Sequence, residues 1–229
     1  MVFEQNKLTV HAVIFDMDGT LIDSIDIYFK IVEIALERLK LPQVSREKIL
    51  NAAEHGDFNW ELVLPGEVHH KKDKIIGQAW KIINEIAPQM FEENLQLIGG
   101  ADNILQAISI SIPRIGLVTS TQKKYLKIKM QPLKSAGVEK LFEVIITSDD
   151  VEKRKPAPDA LIACAQKLHV ASDKCVYVGD TRSDIKAGKA AGMQTVGVLT
   201  GFDDYDMLAN EGPDAIIDSI RDLVEVIAV

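Results

Sequence analysis

The residues with chemical potential come first in VIFDMDGTLIDS, residues 13–24. Apolar, strand-forming residues from Val13 to Phe15 end abruptly in Asp16-Met17-Asp18-Gly19. Two carboxylates about 4 Å apart repel by about 4 kcal/mol at an effective dielectric of about 20. Such a pair at the mouth of a buried strand needs raised pKa values or a cation between or beside it. The same punctuation recurs further on. Strand-like runs at 114–118, 144–147 and 175–178 are followed by Thr119-Ser120, by Ser148-Asp149-Asp150 with Lys155-Pro156 beyond, and by Gly179-Asp180 with Asp184 four residues on. In open α/β sheets ligands bind beyond the carboxyl ends of the strands, so parallel strands would gather carboxylates, hydroxyls and one ammonium in one crevice. Hard carboxylate oxygens in open loops suit Mg²⁺, which keeps waters and accepts phosphate oxygens. A carboxylate can attack phosphorus, a lysine and a metal can neutralise the moving phosphoryl group, and a second carboxylate can move the protons. Asp16 and Asp18 can divide those tasks.

The elements that would position these groups follow from the pattern of apolar residues. Short runs at 10–15, 114–118, 144–147, 175–178 and 194–198 are apolar on both faces, as buried parallel strands are. Helical patterns lie between the later ones, at about 101–109, 122–136, 158–169 and 183–191. Pro132, inside the second of these, is expected to kink it. Strand and helix in alternation predict an α/β fold with a parallel, Rossmann-like sheet. Residues 24–92 interrupt the alternation. Tyr28, Ile31, Val32, Ala35, Leu36 and Leu39 fall at helical spacing until Leu41-Pro42, and Ile75, Ile76, Ala79, Ile82, Ile83 and Ile86 form a second stripe that Pro88 is expected to end. The expectation is a core domain of residues 1–23 and 93–229 with a small helical domain, 24–92, inserted after the first strand. LIGGA (97–101) returns the chain to the sheet.

Composition narrows the function. The 229 residues are 47% hydrophobic and 26% charged, ordinary for a globular protein with a sizeable core. A net charge of −8 disfavours nucleic acid and anionic lipid as partners. The short basic runs HHKKDK (69–74) and EKRK (152–155) do not change that, and His69 and His70 in the first are expected to be solvated. The two cysteines, Cys164 and Cys175, have no CxxC spacing and suit a reducing cytosol. No basic stretch followed by an apolar one marks the N-terminus, and no run of about 18 apolar residues predicts a membrane span. A cytoplasmic protein is expected, as a monomer or a homodimer.

Four stretches taken together resemble the haloacid dehalogenase superfamily: FDMDGTLIDS (15–24), VTS (118–120), KPAPD (155–159) and VGDTRSDIKAGKAAGM (178–193). Their order and their spread over most of the core carry the likeness; any one alone is weak. The helical insertion resembles that superfamily's type 1 cap, which closes over the active site. The resemblance implies Asp16 as nucleophile and Mg²⁺ ligand, and Asp18 as general acid/base that gives its backbone carbonyl to the metal. It implies Thr119 and Lys155 at the phosphoryl group, Asp180 as a metal ligand, and Asp184 holding the metal's waters or orienting Lys155. Ser120 and Met17 would help bind substrate.

The implied activity is a phosphatase of small phosphorylated metabolites. Members that cleave carbon–halogen or phosphorus–carbon bonds lack an aspartate two positions after the nucleophile, whereas Asp18 is present here. β-Phosphoglucomutase-type members usually carry Glu-Asp where this chain has Gly179-Asp180, as phosphoglycolate phosphatase-like members do; GPDAIIDSIRDL (212–223) is similar to that subgroup too. EHGDFNW (54–60) matches no specificity loop. Its His55, Asp57, Asn59 and Trp60 either touch the leaving group or form a capping turn with Trp60 in a core. Two rivals stay open: a phosphomutase, and a non-catalytic phospho-binding module such as a receiver. A receiver would be shorter and would need no acid at position 18.

Overall fold

The computed structural model describes residues 7–53 and 58–228. Its strands and helices, in chain order, are β1 (Ala12–Phe15), β2 (Ile22–Asp23), α1 (Ile25–Arg38), α2 (Arg46–Ala53), α3 (Lys72–Asn94), β3 (Gln96–Leu97), α4 (Ala101–Ser111), β4 (Arg114–Val118), α5 (Lys123–Lys129), α6 (Gln131–Ser135), β5 (Val144–Ile146), α7 (Asp159–Lys167), β6 (Cys175–Gly179), α8 (Arg182–Ala190), β7 (Gln194–Val198), α9 (Tyr205–Ala209), β8 (Ala215–Ile217) and α10 (Leu223–Val226). They divide into two compact units, Ser24–Leu95 and the remainder.

The larger unit is built on a six-stranded sheet in the order β5-β4-β1-β6-β7-β8, every pairing parallel. The fold is therefore the expected α/β type with a Rossmann-like parallel sheet. β1 lies at its centre and is buried throughout, as its AVIF sequence requires. Ala12, Ile14, Cys164, Leu168, Cys175 and Tyr177 belong to one core cluster. From β1 the strand order runs outward in both directions, so β1 stands at the switch point where this class of sheet opens a crevice. The register sets the chemistry. Phe15 is level with Leu117 of β4 and Val178 of β6, so Asp16, Thr119 and Asp180 all emerge just past the last rungs of adjacent strands.

Three short strands escaped the sequence pattern. β8 is three residues long, and β2 and β3 form an antiparallel pair of two residues each, too short for any period to register. The kink expected at Pro132 is a break: α5 stops at Lys129 and α6 begins at Gln131 with the proline in its first turn, where a missing N–H is tolerated.

The smaller unit, Ser24–Leu95, holds α1, α2 and α3 around a core of Phe29, Val32, Leu36, Ile49, Trp60 and Ala79. Pro88 does not end the second stripe. α3 runs on to Asn94 with the proline inside it. Pro88 supplies no N–H to the carbonyl four residues back, yet Ala87 and Phe91 around it are buried and Phe91 packs edge-on against Tyr28 at 5.8 Å. That packing outweighs one lost hydrogen bond, so the helical segment ends a few residues later than the sequence suggested. Trp60 is 2% exposed, with Phe58 and Trp80 against its ring, and Asn59 caps a short 3-10 turn by accepting from the Glu61 N–H. His69 and His70 are exposed. His55 and Asp57 lie outside the described residues. No helix among the described residues is long and apolar enough to cross a membrane.

Candidate active site

Four of the residues singled out by sequence meet at the sheet's carboxyl edge. Oxygens of Asp16, Asp180 and Asp184 lie within 4.8 Å of one another, all three residues buried. Lys155 reaches the cluster from the loop after β5. Its Nζ donates to Asp16 Oδ1 at 2.6 Å, to Asp184 Oδ1 at 2.6 Å and to the Tyr177 hydroxyl at 3.1 Å. Burial opposes the lysine's charge, but Asp16 and Asp184 outweigh it and hold its pKa well above the usual range. Asp184 is fixed at both oxygens. Oδ1 accepts from Lys155 and from Tyr177, and Oδ2 accepts from the Thr181 N–H and hydroxyl in the capping box of α8. It is thus both a first-turn acid, favourable at a helix N-terminus, and the residue that orients Lys155.

The cluster carries three carboxylates and one ammonium. Burial raises the Asp16 pKa to about 7, Lys155 lowering it and Asp184 adding to the rise. Burial and the charges of Asp16 and Asp184 push Asp180 well above the usual carboxylate range. A positive charge beside them would favour the ionised form of both. Hard oxygen donors at this spacing fit Mg²⁺ or a similar cation, and Asp16 and Asp180 are carboxylates that could hold it.

Glycines make room for this arrangement. Gly19 has φ +77° and its position faces Asp180, so a side chain there would be both strained and obstructed. Gly201 approaches even closer: an added Cβ would overlap Asp180 Oδ2, Cγ and Cβ at once. That loop also anchors Asp180 through the Phe202 N–H, at 2.9 Å to Oδ2, while Thr20 donates to Oδ1 at 3.2 Å. We expect Gly201→Ala to destabilise the protein by about 1–3 kcal/mol and to lower turnover roughly 10²-fold by displacing Asp180. Thermal unfolding and steady-state rates check both; an unchanged rate would mean that Asp180 need not sit where it does.

The two aspartates of the opening stretch do not share one cation through their side chains. Asp18 turns away from the carboxylate cluster and has its own ammonium. Lys129 Nζ lies 2.7 Å from both of its oxygens, and the Thr121 hydroxyl donates to Oδ2 at 3.0 Å. Asp18's side chain is therefore no member of the Asp16–Asp180–Asp184 cluster. Asp149 and Asp150 also stand apart. Asp149 accepts from the Lys123 N–H at the start of α5; Asp150 accepts from Thr147 and pairs with Lys123. Burial alone would raise the Asp150 pKa, but Lys123 and Thr147 bring it down to about 2.

Thr119 is buried, and its hydroxyl accepts from the Thr121 N–H at 3.1 Å. With Ser120, Ser148, Arg154 and Lys155 it lines a cavity of about 10 Å³, the space of one water. Met17 is fully buried, so any part it takes in binding is through its main chain. Sequence reasoning passed over Lys129, Thr121 and Tyr177. Only Tyr177 left a signal, a hydroxyl-bearing residue in the otherwise apolar run CVYV.

Residues 13–198 match the family described as haloacid dehalogenase-like hydrolase. The chain belongs to the haloacid dehalogenase-like hydrolases. It is 30% identical to a phosphoglycolate phosphatase of Salmonella typhi, over 96% of this chain and 93% of that one. Solved structures share the fold: a predicted phosphoglycolate phosphatase of Haemophilus somnus (TM-score 0.82, 20% identity, 95% of this chain and 97% of that one) and a candidate β-phosphoglucomutase of Thermotoga maritima (TM-score 0.70, 23% identity, 94% and 97%). Family membership makes this chain a hydrolase. At these identities the two structures speak for the fold alone.

Proposed function

We propose that this hydrolase is a Mg²⁺-dependent phosphatase that cleaves a small, phosphoglycolate-like phosphate monoester through an aspartyl phosphate. The observation that carries the reading is Lys155 at 2.6 Å from both Asp16 and Asp184, inside a carboxylate cluster that includes Asp180. Asp16 is the nucleophile. An Oδ attacks phosphorus, the bond from phosphorus to the leaving oxygen breaks, and Asp18 gives that oxygen its proton. Asp18 then takes a proton from the water that attacks the phosphorus of the aspartyl phosphate, the bond to Asp16 breaks, and inorganic phosphate leaves. Lys155 stabilises the charge on the transferring group, with the Thr119 hydroxyl beside it. Asp16, Asp180 and the Asp18 carbonyl would hold the metal, which would supply electrostatic stabilisation of the phosphoryl oxygens. Asp184 serves through Lys155.

A phosphatase is favoured over a phosphomutase by Gly179. A Cβ at that position would run into the Asp184 carboxyl group, so a glutamate there would have to dislodge the residue that orients Lys155. The phosphoglycolate phosphatase of Salmonella typhi, similar over nearly the whole of both chains, points the same way.

The test is phosphate release from a panel of phosphorylated metabolites that includes phosphoglycolate and sugar monophosphates. We expect release with Mg²⁺, at least about 100-fold slower in chelator and restored by added Mg²⁺. An isomerised sugar phosphate without free phosphate would mean a mutase, and absence of turnover on the whole panel would favour a binding module.

A further inference from the structure

We infer that Lys129, together with Thr121, is the positioning residue of the acid–base carboxylate Asp18. The inference rests on the aspartyl-phosphate reading and adds to it a part of the protein that the family's motifs do not name. The sequence of α5, KKYLKIK, contains four lysines, and Lys129 is its buried residue; Leu126 and Ile128 are only partly covered. An amphipathic helix would ordinarily bury the leucine and isoleucine and leave its lysines in water. Here the side chain of Lys129 is 2% exposed, and it meets an Asp18 side chain that is 14% exposed.

Stability does not explain that choice, because a buried ion pair loses about as much in desolvation as it gains in attraction and is often replaceable by apolar residues. Orientation does. Lys129 Nζ is 2.7 Å from both Asp18 oxygens, and Thr121 closes the triangle, donating to Oδ2 at 3.0 Å and accepting from Lys129 at 3.1 Å. A carboxylate has about four lone-pair positions. Among the described residues, Oδ2 has two donors and Oδ1 has one. Oδ1 thus has the open position, and we assign to it the proton that passes to the leaving oxygen and is later taken back from water. Thr121 is tied in turn to the phosphoryl-binding loop through the Thr119 hydroxyl. Acid and phosphoryl site are held to one frame.

The test uses leaving-group dependence. An alkoxide needs its proton as the bond breaks, whereas p-nitrophenolate leaves well without one. kcat/KM reports the steps through departure of the leaving group and is blind to later hydrolysis of the aspartyl phosphate. In the full chain with Mg²⁺, Lys129→Met is expected to lower kcat/KM about 100-fold for an alkyl monoester, phosphoglycolate first, and under about fivefold for p-nitrophenyl phosphate. Thr121→Val should bias the two substrates in the same sense, by about tenfold. In an Asp18→Asn background, Lys129→Met should cause no further loss on the alkyl ester. Equal losses on both substrates, or losses that multiply in the double variant, would overturn the inference and leave Lys129 as a structural tie. If Lys129→Met does not fold, the substrate ratio for Thr121→Val decides. An Asp18→Asn protein with wild-type kcat/KM on the alkyl ester would instead overturn the acid–base reading itself, and the role of Lys129 with it.

Discussion

Asp16→Asn is expected to lower phosphate release by roughly 10⁴-fold or more and to leave the fold standing. The substitution keeps the side chain's shape but removes the oxygen proposed as nucleophile, while Asp184 is committed at both oxygens and Asp18 is tied to Lys129. The stability of the metal-free protein separates lost chemistry from lost structure. The Asp16 pKa is raised from 3.8 to about 7, chiefly by burial. Between those values the native state binds more protons than the unfolded one, so the contribution of Asp16 to stability is full below about pH 4 and is lost as pH rises through 7. Asparagine has no charge to desolvate. In chelator the variant should therefore gain on the wild type as pH rises from 5 to 8, read as thermal midpoints. With Mg²⁺ the order should narrow or reverse, because the wild type has the extra metal ligand. Turnover within tenfold of wild type would exclude a covalent role for Asp16.

The sheet and the ends of its central strands were legible in the sequence for a physical reason. A buried parallel strand must be apolar on both faces, so VIF, GLV and YVG contrast sharply with the polar residues that follow them. That contrast points to Asp16, Thr119 and Asp180. Lys155 and Asp184 stood out by their place in a recognisable loop and helix start. What stayed hidden depended on pairing across the chain. Asp18 and Lys129 are 111 residues apart in sequence, and no local pattern marks Lys129 as different from the other lysines of α5. The two carboxylates therefore have different partners: two ammonium groups, on the loop after β5 and on α5, divide them. Asp149 and Asp150 failed differently. At a strand end an acid can face the crevice or fasten the next element, and residue type alone does not decide; here Lys123 and Thr147 claim both.

Lys155→Met should be the single change most damaging to stability, and it should lower the rate severely too. The ammonium lies among Asp16, Asp184 and Tyr177. Removing it leaves a buried carboxylate cluster without its own cation, and breaking a buried pair costs about 3–5 kcal/mol. The loss must depend on pH. Lys155 is protonated in both folded and unfolded states across pH 5–8, since its folded pKa lies well above 10.5, so the dependence comes from the carboxylates. Asp16 and Asp180 already have raised pKa values, and without the lysine these rise further. The variant should therefore be near wild-type stability at pH 5, where protons can replace the missing charge, and should fall behind as pH rises to 8. Mg²⁺ should recover part of that stability by supplying positive charge at the same oxygens. It should not recover turnover, which we expect to be about 10³-fold down because the transferring phosphoryl group has lost its fixed cation. Lys155→Arg makes the distinction sharper. A guanidinium keeps the charge but presents a planar fork that cannot place one donor point between Asp16 Oδ1, Asp184 Oδ1 and the Tyr177 hydroxyl, so it should restore stability more than rate. Thermal midpoints at both pH values, with and without Mg²⁺, check these outcomes. A Lys155→Met protein as stable as wild type at pH 8 in chelator would show that the carboxylates are not balanced by this lysine, and the site would have to be redrawn around another cation.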